Sequence, residues 1–238
     1  MALYKRIILK LSGEALADKK NQNILDANML SEIAKVIKKI YEQGVQIGVV
    51  IGAGNIFRGK ISSTIGIDNV NGDYMGMLGT VINCIALSNA VSKLGIPTSV
   101  LSALEINKVV EPYSNLKALK YLDKNKVVFF AGGTGNPFFT TDTCAALRAL
   151  EINADAILMS KNGVNGVYDD DPRVNQEAKL IKKLTFQDIL NKNLTVMDQS
   201  AVSMLKGKGI LVRVFSMNDI DNFEKVLIDE SVGTTIKE

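Results

Sequence analysis

The sequence predicts an α/β protein, a three-layer αβα sandwich built on a mostly parallel, open sheet. Three observations lead there. Short apolar runs alternate with helical patterns along the chain. Those runs are apolar almost without interruption, as suits strands covered on both faces by helices. Glycine-rich segments follow directly on several of them, and in such sheets ligands bind outside the carboxyl ends of the strands.

Strands are expected at Arg6–Leu11, Gln46–Ile51, Thr98–Ser102, Lys126–Ala131, Ala156–Ser160 and Leu211–Phe215. After the first, Leu30, Ile33, Ile37 and Ile40 share one stripe, so a helix runs from Asn28 to Glu42 and stops at Gly44. A longer helix is expected over Met75–Leu94, ended by Gly95 with Pro97 beyond. A third starts near Thr141 and reaches about Ile152. Shorter helices are expected at Asn115–Leu122, Phe186–Leu190, Gln199–Lys206 and Ile220–Leu227. Helices alternating with parallel strands imply right-handed crossovers.

The 238 residues suit one large α/β domain or two closely joined lobes, and the chain is long enough to bury a sizeable core, with 47% hydrophobic residues. A net charge of +3 is too small to argue for nucleic acid or a membrane surface. The absence of histidine excludes a Ser-His-Asp triad, and the lack of clustered thiols excludes a zinc site. Cys84 and Cys144 each sit alone in apolar surroundings and read as small buried hydrophobes. Lys10 breaks the early apolar stretch, so no signal peptide is read there, and no apolar run approaches the roughly 18 residues of a membrane span. A cytoplasmic location is the expectation.

Four strand ends carry unusual loops: Lys10-Leu11-Ser12-Gly13, the run from Gly52 to Gly59, the run from Gly132 to Asp142, and Lys161-Asn162-Gly163. Glycine there permits positive φ and close approach of a ligand to the backbone. Successive amides form a concave anion site, and a helix starting directly afterwards adds its positive end. With Lys10 and Arg58 among them, these loops suit a polyanion such as a nucleoside triphosphate. Any one loop alone reads as a tight turn; four together do not. Two near misses fall away. Gly54 to Lys60 lacks the Ser or Thr that a P-loop needs next, since residue 61 is Ile. Gly52-Ala53-Gly54 begins like a dinucleotide fingerprint, but Phe57 stands where the third glycine belongs. The run Asp169-Asp170-Asp171-Pro172 reads as a solvated turn, and Asp198, just before a helix, as an N-cap. Lys35, Lys38, Lys39, Lys206 and Lys208 read as solvated helix faces.

Lys10-Leu-Ser-Gly13 resembles the amino-acid kinase fold, whose members phosphorylate carboxylates, carbamate or UMP. The blocks Ile51–Gly59, Gly72–Met77, Thr134–Asp142, Gly166–Tyr168 with Asp171-Pro172, and Val196–Asp198 narrow the resemblance to the bacterial UMP kinases of that family. It covers essentially the whole chain in order. It implies phosphoryl transfer from ATP to UMP, with Mg²⁺ arriving on the ATP phosphates and no dedicated metal ligands. It implies a single domain over residues 1–238, with a UMP-binding lobe at 1–150 and an ATP-binding lobe at 151–238.

The resemblance also implies roles. Lys10, Leu11, Ser12, Gly13, Gly54 and Arg58 meet the ATP phosphates, while Asn162, Tyr168 and Asp171 line the adenosine site. Ala53 and Asp73 meet UMP, and Thr134, Gly135, Asn136, Pro137, Phe138, Phe139, Thr140 and Thr141 wrap it. Asp142 and Asp198 orient Lys10 and the phosphate-binding groups, completing a catalytic set with Arg58. Implied as well are a homohexamer and UTP as a feedback ligand. Two departures stand out. Ala53 occupies a position where the family usually has glycine, tolerable if its φ is negative. The segment Ala17–Ile24 is rich in lysine and asparagine where many relatives carry a glycine-rich loop associated with GTP activation, so that activation is not expected. Alternatives are a kinase of acetylglutamate, glutamate or carbamate on the same fold, or a nucleotide-binding sensor without turnover.

Overall fold

A computed structural model describes residues 2–18, 21–192, 194 and 196–238, with the backbone but not the side chain of Lys60. Eleven strands and seven α-helices are assigned among them. The strands are β1 (Arg6–Leu11), β2 (Gln46–Ile51), β3 (Thr98–Ser102), β4 (Glu111–Pro112), β5 (Val127–Ala131), β6 (Ala156–Lys161), β7 (Val167–Tyr168), β8 (Leu180–Ile181), β9 (Lys183–Thr185), β10 (Leu211–Ser216) and β11 (Thr234–Lys237). The helices are α1 (Ala27–Glu42), α2 (Asn69–Ser92), α3 (Asn115–Asp123), α4 (Thr141–Glu151), α5 (Phe186–Asn191), α6 (Gln199–Leu205) and α7 (Asn222–Ile228).

Nine strands form one sheet in the order β4-β3-β5-β2-β1-β6-β10-β11-β9, parallel throughout except where β11 meets β10. The remaining two, β7 and β8, make a separate antiparallel ribbon. Strands from the first 150 residues fill one half of the main sheet up to β1, and later strands fill the other half.

Side chains alternate between faces along each strand, and both faces are buried. Ile7, Leu9 and Leu11 join one core with residues of α1, α2 and α7. Ile8 points the other way, into a second core with residues of α3, α4, α5 and α6. The same split separates Val127, Phe129 and Ala131 from Val128 and Phe130. Two covered faces explain why the strand sequences show no polar alternation.

All six expected strands are present, with shifts of one residue at an end. β4, β7, β8, β9 and β11 went unread, because each is two to four residues long and carries no apolar run. α2 begins at Asn69 rather than Met75, since Asp68 caps it by accepting from the Asn71 amide at 2.9 Å. Gly72, Gly76 and Gly79 hide the pattern there, yet all lie inside the helix. This helix also amends the expectation about membrane spans. It is long and apolar enough to cross a membrane by length and composition alone, with a mean hydropathy of 1.4, but half of that stretch is packed inside the protein.

Candidate active site

The four loops singled out in the sequence follow β5, β2, β1 and β6, which are adjacent and parallel. They therefore leave the sheet side by side at one rim.

Lys10 is the penultimate residue of β1. Its Nζ lies 2.6 Å from Asp142 Oδ1, in the first turn of α4, and both side chains are largely buried. The contact is an ion pair rather than an aligned hydrogen bond, since Asp142 Oδ1 has no hydrogen-bond partner. Lys161 closes β6, and its ammonium donates to the Val196 carbonyl at 2.7 Å. Burial lowers its pKa below the ordinary lysine value; Asp142 pulls the other way, and the charge on Lys10 adds to the lowering. The rim thus holds two cations around one carboxylate. Lys161 went unassigned in the sequence, though the register shows what could have found it. Lys10 pairs with Met159, so Lys161, two residues on, projects from the same face of the sheet.

Asp198 does not touch Lys10 through any described hydrogen bond or ion pair. It caps α6 by accepting from the Ala201 amide at 3.0 Å. Its carboxylate also accepts from Thr140 Oγ1 at 2.5 Å and from Thr143 Oγ1 at 2.9 Å. Thr140 in turn caps α4, accepting from the Asp142 and Thr143 amides at 3.0 and 3.3 Å. Asp198 therefore clasps the two halves of the sheet's rim together, one step removed from Lys10. Burial opposes its ionisation, but these hydroxyl and amide donors outweigh that and hold its pKa below the usual carboxylate value.

Ser12 and Gly13 open a short 3₁₀ turn after β1. A Cβ on Gly13 would sit 2.3 Å from Asn55 Oδ1 and 2.5 Å from the Gly52 carbonyl. Here glycine serves close approach of two loops, because Gly13, Gly52 and Gly54 lack the positive φ expected of them, whereas Gly132, Gly133, Gly135 and Gly163 have it. Asn55 and Asn83 exchange reciprocal amide hydrogen bonds of 3.0 and 2.8 Å, and Asn83 also donates to the Gly52 carbonyl at 2.8 Å. This pair, unread in the sequence, fastens the Gly52–Gly59 loop to α2. Arg58 is more than half exposed, pairs with Glu14, and donates through Nε to the Gly54 carbonyl at 3.2 Å.

Beside the rim lies a cavity of about 300 Å³. Ala53, Gly54, Asp73, Asn136, Phe139, Thr140 and Thr141 line it, together with Gly76, Met77, Thr80, Gly133 and Cys144. Ala53 does not carry a positive φ, so alanine is tolerated there as expected. The loop from Thr134 to Phe139 bounds this cavity. Thr134 Oγ1 accepts from the Asn136 amide at 3.2 Å, Gly135 turns at φ +83°, and Pro137 leads into Phe138. Phe138 adopts φ +71°, is 74% exposed, and its amide donates to Asp73 Oδ2 at 2.7 Å. Cys144 lies behind Thr140 with its pKa raised to about 11, chiefly by burial, and Cys84 is likewise buried and pushed higher. Both thiols are inert.

Asn162, Tyr168 and Asp171 sit on the β6 side. Asn162 follows Lys161 directly, while Tyr168 belongs to the β7–β8 ribbon. Asp171 makes a two-point contact with Arg173, at 2.9 Å to Nε and 2.8 Å to Nη2, which lowers its pKa through those donated hydrogen bonds. The ribbon is held to the main sheet by Thr234, which accepts from the Val167 amide at 2.9 Å and donates to the Ile181 carbonyl at 2.6 Å. Of the departing Ala17–Ile24 segment, Lys19 and Lys20 lie outside the described residues; Asp18 and Asn23 bridge its ends.

Adjacent glycine-rich loops at one rim, two lysines near one carboxylate and a cavity of about 300 Å³ alongside are features that suit a phosphotransferase. The amino acid kinase family matches residues 5–216. The uridylate kinase of Limosilactobacillus reuteri is 47% identical over 234 residues, covering 98% of this chain and 97% of that protein. The crystal structure of UMP kinase from Bacillus anthracis superposes with a TM-score of 0.95 at 40% identity, covering 98% of this chain and 96% of that one. That of UMP kinase from Ureaplasma parvum gives a TM-score of 0.94 at 38% identity, with 98% and 99% covered. The chain belongs to the amino acid kinase family and, within it, to the uridylate kinase group.

Proposed function

We propose that this chain transfers the γ-phosphoryl group of ATP to UMP, giving ADP and UDP. The observation that carries this reading is the cavity lined by Thr140 and Thr141, next in sequence to the Asp142 that pairs with Lys10, at the rim where the glycine-rich loops leave adjacent strands. In this reading the UMP-binding lobe is residues 1–150 and the ATP-binding lobe residues 151–238, with the loops after β1 and β2 also reaching the donor phosphates.

An oxygen of the UMP phosphate attacks the γ-phosphorus, and the bond to the β,γ-bridging oxygen breaks, leaving ADP. The phosphate nucleophile is largely ionised near neutral pH, with a second pKa of about 6. No general base is needed, so a chain without histidine loses nothing. The protein's work is alignment and charge neutralisation. Lys10, Leu11, Ser12, Gly13 and Gly54 hold the donor phosphates. Lys161 joins Lys10 against the charge that develops on the moving group, with Asp142 keeping Lys10 in place. Arg58 leaves Glu14 for the phosphates. Asp73 and the Thr134–Thr141 loop hold UMP, while Asn162, Tyr168 and Asp171 hold the adenosine.

Among the described residues, no group of three or more Cys, Asp or Glu could hold a metal. Asp142 is paired with Lys10 and Asp198 with two threonines. A magnesium ion would arrive on the ATP phosphates and lower their charge.

The assembly belongs to the same reading. Tyr74, Leu78, Ile82 and Ile85 form a stripe along α2 and stay between 37% and 49% exposed. A second copy covers this stripe in a homohexamer, in the cytoplasm, and UTP acts as feedback ligand. Light scattering on Ile82→Glu tests the stripe: a smaller particle is expected, and an unchanged mass rejects it. The activity test is UDP formation from UMP, ATP and Mg²⁺. Phosphorylation of CMP but not UMP, or of a small carboxylate alone, would overturn the substrate.

A further inference from the structure

The acceptor loop begins with two consecutive left-handed residues, Gly132 at φ +74° and Gly133 at φ +58°. A Cβ on Gly132 would lie 2.9 Å from both the Leu104 amide and Ser102 Oγ, so this corner sits against its neighbours with no space to spare. Its peptide groups are gripped from two helices. The Gly132 amide donates to Thr80 Oγ1 of α2 at 2.9 Å. Arg148 of α4 donates through Nη2 to the Gly133 carbonyl at 3.4 Å.

Neither partner can easily turn away. Thr80 is buried, and its hydroxyl donates to the Met77 carbonyl at 2.6 Å, which aims an oxygen lone pair at the Gly132 amide. Arg148 is 3% exposed, pairs with Glu151 at 2.5 Å, and stacks 3.8 Å over the Tyr113 ring. Tyr113 itself donates to the same Glu151 carboxylate at 2.5 Å. Thr80 and Gly133 both line the acceptor cavity.

We infer that Thr80, supported by Arg148, is a positioning residue that preforms the Gly132–Gly133 corner of the acceptor loop before the acceptor nucleotide arrives. The inference rests on the UMP kinase reading above. Without the hydroxyl, the buried Gly132 amide has no partner, and the corner is no longer held at the angle that the following loop needs. Acceptor binding then bears the ordering of the loop, while donor binding at the β1 and β6 ends does not.

The test is steady-state kinetics on Thr80→Val and Thr80→Ser. For Thr80→Val, the KM for UMP rises about tenfold, the loss of roughly one well-made buried hydrogen bond, with the KM for ATP within about twofold. Thr80→Ser keeps the hydroxyl and restores the UMP value. An unchanged UMP KM in Thr80→Val overturns the inference. So does an equal rise in both KM values, or failure of serine to rescue, since those describe a merely structural residue. Where Thr80→Val does not fold, Thr80→Ala removes the hydroxyl without adding a methyl group in its place and is read the same way. Amide exchange on the nucleotide-free wild type gives an independent reading: slow exchange at Gly132 is expected, and exchange as fast as an exposed loop amide overturns the inference. If the wild type forms no UDP at all, the UMP kinase reading itself has failed, a result separate from every outcome of the variants.

Discussion

Lys10 Nζ and Asp142 Oδ1, 2.6 Å apart, tie the end of β1 to the first turn of α4 and so join the loop after β1 to the helix beside the cavity. If Lys10 neutralises charge in the transition state, Lys10→Met lowers kcat by on the order of 10² or more. Arg58→Ala does the same. Asp142→Asn leaves the ammonium present but poorly aimed, so kcat falls by about tenfold to a hundredfold with smaller changes in KM. Lys161→Met should fall in the range of Lys10→Met. Near-normal turnover in the Lys10 and Lys161 variants would remove the two-cation mechanism.

Ala53 and Gly79 fit each other by size. A Cβ added to Gly79 would lie 2.9 Å from Ala53 Cβ, and 3.5 Å from Ile56. Overpacking at such a contact costs about 1–3 kcal/mol. Gly79→Ala is expected to lose stability in urea unfolding, after allowing for the helix propensity that alanine gains. Ala53→Gly in the same chain should recover most of the loss, because the methyl groups have exchanged sides. Additive effects in the double variant would show that the two residues are not coupled.

Asp198 carries a pH signature. Its folded pKa lies below the ordinary carboxylate value of about 3.9. A depressed acidic pKa contributes stability that is fully present above the unfolded value and is lost as pH falls through the folded one. Urea midpoints should therefore decline below about pH 4, and Asp198→Asn should show a shallower decline there. An identical pH profile in that variant would argue that Thr140 and Thr143 do not stabilise the ionised form.

Arg213 is a stability device remote from the chemistry. Fully buried on β10, it donates to Tyr4 Oη at 2.8 Å and to the carbonyls of Val226, Asp229 and Val232 at 3.3, 2.9 and 3.0 Å. None of these partners is a carboxylate. The guanidinium instead faces carbonyls at and beyond the end of α7, where the helix dipole is negative. Arg213→Met strands those carbonyls and should lower unfolding free energy by about 3 kcal/mol. Both KM values should stay unchanged in the folded enzyme. A loss under about 0.5 kcal/mol would mean that water replaces the guanidinium.

Much of this molecule is legible in the order of its residues. Both sheet faces are covered, so each central strand shows as an unbroken apolar run, and Gly44 and Gly95 mark helix ends. The glycine-rich loops stand out because their composition is unusual wherever they fold. Lys10, Asp142 and the Thr134–Asp142 block could be named from motif and position. What tertiary structure alone decided is which groups meet across distance. Lys161 was given no role in advance because its surroundings, the Val196 carbonyl with Asp142 and Lys10 nearby, come from other segments of the chain. Thr80, Asn83 and Gly79 sit in a helix whose face-by-face environment no local pattern reports. Asp198, legible as an N-cap, also holds Thr140 and Thr143, since a carboxylate's role is set by whichever donors the fold delivers to it.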